Sequence, residues 1–122
     1  MKILHFSDTH LWIWIENTSR EEDFYLNFQK VLQDIIELKP DVVVHSGDLF
    51  HTAKPSNKAI SVVVSWFLEI SKICPLVLIA WNHDTPRLST TTHSFEIFRD
   101  IENIHIFYEP KIQNILINKI NF

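Results

Sequence analysis

The stretch from Asp41 to Ser46, with Val42, Val43 and Val44 in succession, constrains the fold more than any other. Three β-branched residues in a row show no apolar–polar alternation, so a strand built from them turns neither face to water. Such a strand needs cover, and its flanks supply it. Upstream, Phe24, Tyr25, Phe28, Val31, Leu32, Ile35 and Ile36 recur at helical spacing and stop before Pro40. Ser19 with Glu22 three places on forms a capping box for that helix. Downstream, Pro55 and Ser56 open a second helix that runs to about Lys72. Its stripe of Ile60, Val63, Val64 and Phe67 faces the core, and Trp66 lies off that stripe, toward solvent.

Further strands are expected over Lys2–Ser7, Pro75–Ala80 and Ile104–Tyr108. A loop of unusual apolarity follows the first, running through Leu11, Trp12, Ile13, Trp14 and Ile15. Thr92 or Ser94 opens a short helix carrying Phe95, Phe98 and Ile101, and Ile112–Ile117 pairs with Ile120–Phe122 in a hairpin. Strands alternating with helices predict an α/β fold with right-handed crossovers and a mainly parallel sheet flanked by helices. The expected core comes from Ile3, Leu4, Val42, Val43, Val44, Val77, Leu78 and Ile79. At 122 residues the chain is read as one domain.

Charge and cysteine content narrow the function. A net charge of −4 excludes a broadly basic nucleic-acid surface but leaves room for a local basic groove. Cys74 is the single cysteine, so no intramolecular disulfide forms, and a reducing, cytoplasmic setting is expected. The longest apolar run, Ile60 to Ile70, is broken by Ser61, Ser65 and Glu69 and is too short to span a bilayer.

Three polar clusters begin where predicted strands stop: Asp8-Thr9-His10, Gly47-Asp48 and Asn82-His83-Asp84. Chemistry in such sheets gathers at the carboxyl ends of the strands, so the three can converge. The carboxylates of Asp8 and Asp48, the imidazole of His10 and the amide oxygen of Asn82 suit hard or borderline divalent cations. Asp48 follows the chain's single glycine, where a carboxylate can turn between two ions about 3.5–4 Å apart. His83 and His51 are then placed to act near a substrate as transition-state stabiliser and general acid. Alternatively, Asp8 and Asp48 are ordinary strand-end carboxylates, and His5, His45 and His105, inside predicted strands, are packing residues rather than ligands.

Taken together and in this order, the clusters resemble the first three motifs of the calcineurin-like metallophosphoesterases. The longer stretches Phe6–Leu11 and Gly47–Ser56 resemble the SbcD-type nuclease branch, and the resemblance covers nearly the whole chain as the N-terminal half of the domain. It implies a sandwich-type α/β fold in which Asp8 and His10 hold one metal, Asp48 bridges, Asn82 holds the second, and His51 and His83 assist catalysis. It also implies two Mn2+ ions, DNA ends as substrate and an SMC-type ATPase as partner, while the helices over 56–72 and 94–101 resemble the elements through which the family dimerises.

The sequence departs from that family in two ways. The family's later histidine motifs do not occur within 1–122, so a truncated domain with an incomplete di-metal site and little activity is expected. Trp12 and Trp81 stand where the family has glycine, and glycine occurs once where average usage predicts about eight. These substitutions suggest an engineered or degenerate variant. The alternative reading is therefore a catalytically silent scaffold whose exposed aromatic face, Trp12, Trp14, Trp81 and Trp66, binds a protein partner or a second copy.

Overall fold

The computed structural model describes residues 1–11, 14–15, 18–52, 54–80, 94–107, 112–117 and 120–121. Four strands, β1 (Ile3–Phe6), β4 (Val42–His45), β5 (Leu76–Ile79) and β6 (Ile104–Phe107), form one sheet in the order β1-β4-β5-β6. Every pairing in it is parallel, with Leu4 opposite Val43, Val43 opposite Leu76 and Leu76 opposite Ile104. The first two crossovers, which join β1 to β4 and β4 to β5, carry α1 (Glu21–Leu38) and α2 (Asn57–Ile73). This is the α/β arrangement that the strand–helix alternation predicts.

The helix ends follow local chemistry. Ser56 caps α2 by accepting from the Ala59 N–H at 3.2 Å. The capping box expected at Ser19 and Glu22 does not form. Ser19 pairs with Trp14 in a small antiparallel ladder of β2 (Trp14–Ile15) and β3 (Thr18–Ser19), so the expected apolar loop contains a short pairing. The N-cap falls to Arg20, which makes no side-chain cap bond and instead holds Asp23 at 2.5 Å. Ser19 still helps, since its Oγ accepts from the Glu21 N–H at 3.3 Å, and Glu21, Glu22 and Asp23 place negative charge at the positive end of the helix. At the other end Lys39 turns left-handed (φ 47°) and donates its N–H to Ile35 at 3.0 Å. No basic residue sits in the last turn of α1, but the Lys2 ammonium reaches the Leu38 carbonyl at 2.6 Å.

The main core lies between the sheet and the two helices. Val43, Leu76 and Leu78 point into it from the strands, Phe28, Leu32 and Ile35 from α1, and Ala59, Val63, Phe67 and Ile70 from α2. Phe95 and Phe98, on a 3-10 helix spanning Ser94–Phe98, close one end. Trp66 belongs here too, which corrects the expectation of exposure: it is 3 % exposed and stacks on Phe28 at 3.9 Å and 7°. The reason is that α2 has two neighbours. It meets the sheet through Phe67 and meets α1 through Trp66, so it buries more than one stripe.

The opposite face of the sheet is covered less completely. Val42 and Val77 pack against Ile117 of β7 (Leu116–Ile117), which pairs antiparallel with β8 (Ile120–Asn121) as the hairpin expectation has it. Ile3 and Ile79 were expected in the core, yet they are 48 % and 37 % exposed because they lie on this face. Leu4, Val43 and Leu78 join the main core, while Val42 and Val77 are buried under the hairpin. No helix among the described residues is long and apolar enough to cross a membrane.

Candidate metal centre

Two loops leave the carboxyl ends of β1 and β4 side by side. The parallel ladder does not stop where the strands do, because backbone hydrogen bonds continue beyond it. The Ser46 N–H donates to Phe6 O at 3.2 Å, Asp8 N–H to Gly47 O at 3.0 Å, His10 N–H to Asp48 O at 2.9 Å and Leu11 N–H to Leu49 O at 3.0 Å. The His51 N–H returns to Leu11 O at 3.2 Å, and Leu11 and Phe50 form a last parallel bridge. Buried Leu11, Leu49 and Phe50 fasten the far end of this zipper in the core.

Along the zipper the backbone turns left-handed at each prospective ligand: φ is 54° at Asp8, 41° at His10 and 52° at Asp48, with Gly47 at 103°. Glycine fills such positions most readily, and Asp and His are among the other residues that enter them more often than most. The turns bring the three side chains together. One donor atom from each of Asp8, His10 and Asp48 lies within 4.8 Å of the others. Metal bonds of about 2.0–2.6 Å allow donors on opposite sides of one ion to stand about 4–5 Å apart, so the cluster has the dimensions of a shared shell. Two carboxylate oxygens and one imidazole nitrogen suit a divalent ion such as Mn2+, Mg2+ or Zn2+.

The three residues differ in setting. Asp48 is 8 % exposed, His10 is half-buried and Asp8 is exposed, with the Ser7 hydroxyl donating to its Oδ2. His10 Nε2 stands 3.8 Å from Asp48 Oδ2, beyond hydrogen-bond reach. The expected His51 is exposed at the zipper's end, its ring centroid 5.7 Å from that of His10 in an edge-on approach. Asn82, His83, Trp81 and Trp12 lie outside the described residues, as does the side chain of Trp14. Of the aromatic face, Trp66 is thus the member whose side chain is described, and its burial removes it from any docking surface.

Beneath this cluster sits His45, fully buried at the end of β4. Desolvation pushes its pKa down to about 4, with nearby His5 acting in the same sense and Asp8 and Asp48 opposing, so the ring is neutral at pH 7. The sequence marks it as a packing residue, and it does pack, edge-on to Phe6 at 4.9 Å. It also hydrogen-bonds toward both ligand loops, a role that alternation alone does not reveal. His5 and His105 point to the other face, where His5 Nε2 meets Ser46 Oγ at 2.6 Å and burial lowers the pKa of His105.

Comparison with known proteins agrees with this geometry. The family model for calcineurin-like phosphoesterases matches residues 1–121. The DNA double-strand break repair protein Mre11 of Methanococcus maripaludis is 36 % identical over 103 residues, covering 83 % of this chain and 28 % of the relative. The protein of the same name from Methanocaldococcus jannaschii is 37 % identical over 89 residues, covering 71 % of this chain and 24 % of the relative. The chain thus spans about a quarter of the length of these curated relatives. A crystal structure of Pseudomonas putida nuclease MPE superposes with a TM-score of 0.51 over 91 % of this chain and 50 % of that one, at 19 % identity, which is a likeness of fold. With a parallel sheet whose carboxyl edge gathers Asp8, His10 and Asp48, and a family match over nearly every residue, the chain belongs to the calcineurin-like phosphoesterase family.

Proposed function

We propose that this chain is the N-terminal part of a metal-dependent nuclease that hydrolyses DNA phosphodiesters, working at DNA ends beside an SMC-type ATPase. The observation that carries the reading is the convergence of Asp8, His10 and Asp48 within 4.8 Å on two zipped loops. The similarity to Mre11 proteins supports the substrate class. In this reading Asp8, His10, Asp48 and Asn82 are the residues that would hold a pair of Mn2+ ions. When bound, such a pair supplies an activated water and a clamp on the phosphate oxygens.

The chain's own side chains orient what the ions bind. Asp48 is nearly buried, while exposed Asp8 would leave its side open to substrate. In this reading His51, exposed beside His10, would give a proton to the leaving oxygen, and His83 would steady the charge that builds on the phosphate. Among the described residues three clustered side chains offer ligand atoms, few of the bonds that two ions need, and slow turnover by residues 1–122 is part of this reading. Of the aromatic face in the silent-scaffold alternative, Trp66 is removed by its burial, while Trp12, Trp81 and the side chain of Trp14 lie outside the described residues.

The test is a Mn2+ titration read by the EPR signal of free ion, on the chain and on Asp48→Ala, with hydrolysis of a labelled DNA duplex alongside. Binding that Asp48→Ala weakens at least tenfold, with weak Mn2+-dependent cleavage, is the expected result. Identical titrations for the two proteins would reject the metal assignment. Cleavage at about 1 per second or faster would reject the expectation of slow turnover.

A further inference from the structure

We propose that His45 is a positioning residue: its imidazole ties the two ligand-bearing loops together and holds Asp8, His10 and Asp48 in register. The inference rests on reading those three as metal ligands and adds a fourth residue that touches no ion.

The hydrogen bonds specify how it works. The Gly47 N–H donates to His45 Nδ1 at 3.4 Å. His45 Nε2 lies 3.3 Å from Thr9 Oγ1, and the Thr9 hydroxyl donates to Leu49 O at 3.0 Å. With its proton committed to Leu49, the hydroxyl accepts from Nε2–H. The same tautomer leaves Nδ1 bare for Gly47, so one neutral ring satisfies both ends. Thr9 is the residue between the ligands Asp8 and His10, and Gly47 is the residue before Asp48. The ring therefore grips each loop beside its left-handed turns, at φ 54° and 41° on one and 52° on the other.

The backbone zipper supplies the spacing of the loops, and the imidazole with Thr9 supplies a cross-brace beneath it. Phe6 meets the ring edge-on at 4.9 Å and Phe67 lies at 6.4 Å, so packing holds the brace itself still. Groups that orient ligands without touching the ion commonly change metal affinity by about 10–100-fold when removed.

The experiment uses the metal-free chain first. Amide hydrogen exchange at Asp8, His10 and Leu11, whose N–H groups form the zipper, is compared with exchange at Leu76 and Ala80, whose N–H groups bond to Asn103 and Phe107 across the sheet. His45→Phe keeps a ring but loses both hydrogen bonds. It should speed exchange at the three zipper amides about tenfold, leave Leu76 and Ala80 within about twofold, and weaken Mn2+ binding about tenfold. His45→Gln, which retains a donor for Thr9, should recover part of both losses. Thr9→Val loses the Nε2 contact and its own bond to Leu49 O, so it should reproduce part of the effect alone and add less to His45→Phe than it does to the parent chain, because the two substitutions share the Nε2 contact.

Unchanged exchange in His45→Phe overturns the proposal. So does equal acceleration at every amide, which would make His45 an ordinary core residue. If His45→Phe does not fold, Thr9→Val decides, since that site is only half-buried, and unchanged zipper exchange there overturns the brace. If the parent chain binds no Mn2+ while His45→Phe still loosens the zipper, the metal reading fails and the brace stands.

Discussion

On the helix side of the sheet Val43, Leu76 and Leu78 are wholly buried, whereas on the opposite side Ile3 and Ile79 stand 48 % and 37 % exposed. The same four strands present both faces, and side chains of the same type fill them. What differs is the cover: two helices of 18 and 17 residues on one side, and on the other, among the described residues, a hairpin of two-residue strands. Burial is therefore set by the element opposite rather than by the strand's own hydrophobicity. The candidate metal loops take their support from the well-packed side, through His45 against Phe6 and Phe67 and through Leu49 and Phe50.

Truncation should expose this asymmetry most sharply. Trp66→Ala removes a ring stacked between α2 and α1 and is expected to destabilise by about 3–5 kcal/mol, while Ile79→Ala, on the other face, should lose about 1 kcal/mol or less. Urea denaturation of the two variants measures both. Equal losses would mean that the hairpin side is as tightly built as the helix side.

Acid should act next, and mainly through the helix side. Folded His45 resists protonation down to about pH 4, whereas its unfolded imidazole takes a proton near 6.5. Between those values the unfolded state binds more protons, so stability rises with pH across the window and is lost as pH falls through it. At about 1.4 kcal/mol per unit the total is at most about 3.5 kcal/mol. Urea midpoints at several pH values should show this slope in the parent chain and a flatter one in His45→Phe. His105, on the hairpin side and half-buried, has a pKa lowered by desolvation, so His105→Phe should flatten the slope less. A steeper effect from His105 would reverse the ranking of the faces.

The sequence shows these regions to different depths. Val42–Val44 announce a strand that needs cover on both sides, and the periodicity around Phe28 and Phe67 announces the helices that cover one side. Neither states which face a given isoleucine will occupy, since Ile79 and Leu78 are neighbours pointing opposite ways. Trp66 misleads for a related reason: a single apolar stripe describes a helix with one neighbour, and α2 has two. Asp8, His10 and Asp48 are legible because they fall at strand ends. His45 is not, because its role depends on which of its ring nitrogens meets Thr9 and which meets Gly47.

The smallest expected effects concern single exposed positions. Asp8→Gly relieves a left-handed backbone at an exposed residue and should raise stability by roughly 0.5 kcal/mol, against a loss of Mn2+ affinity seen in the same EPR titration. Ile3→Thr, on the thinly covered face, should stay within about 0.5 kcal/mol of the parent chain by thermal melting.

The left-handed turns at Asp8, His10 and Asp48 bear on how this chain responds to selection. At each of the three, glycine would relax the backbone and erase a candidate ligand in the same step. A library sorted only by heat resistance should therefore drift toward glycine at these codons, and its winners would fold better and bind no metal. A library sorted by metal capture should hold the carboxylates and the imidazole in place and find its gains elsewhere, in the helices. Sorting one library both ways and sequencing the survivors would separate the positions this chain keeps for its shape from those it keeps for its chemistry.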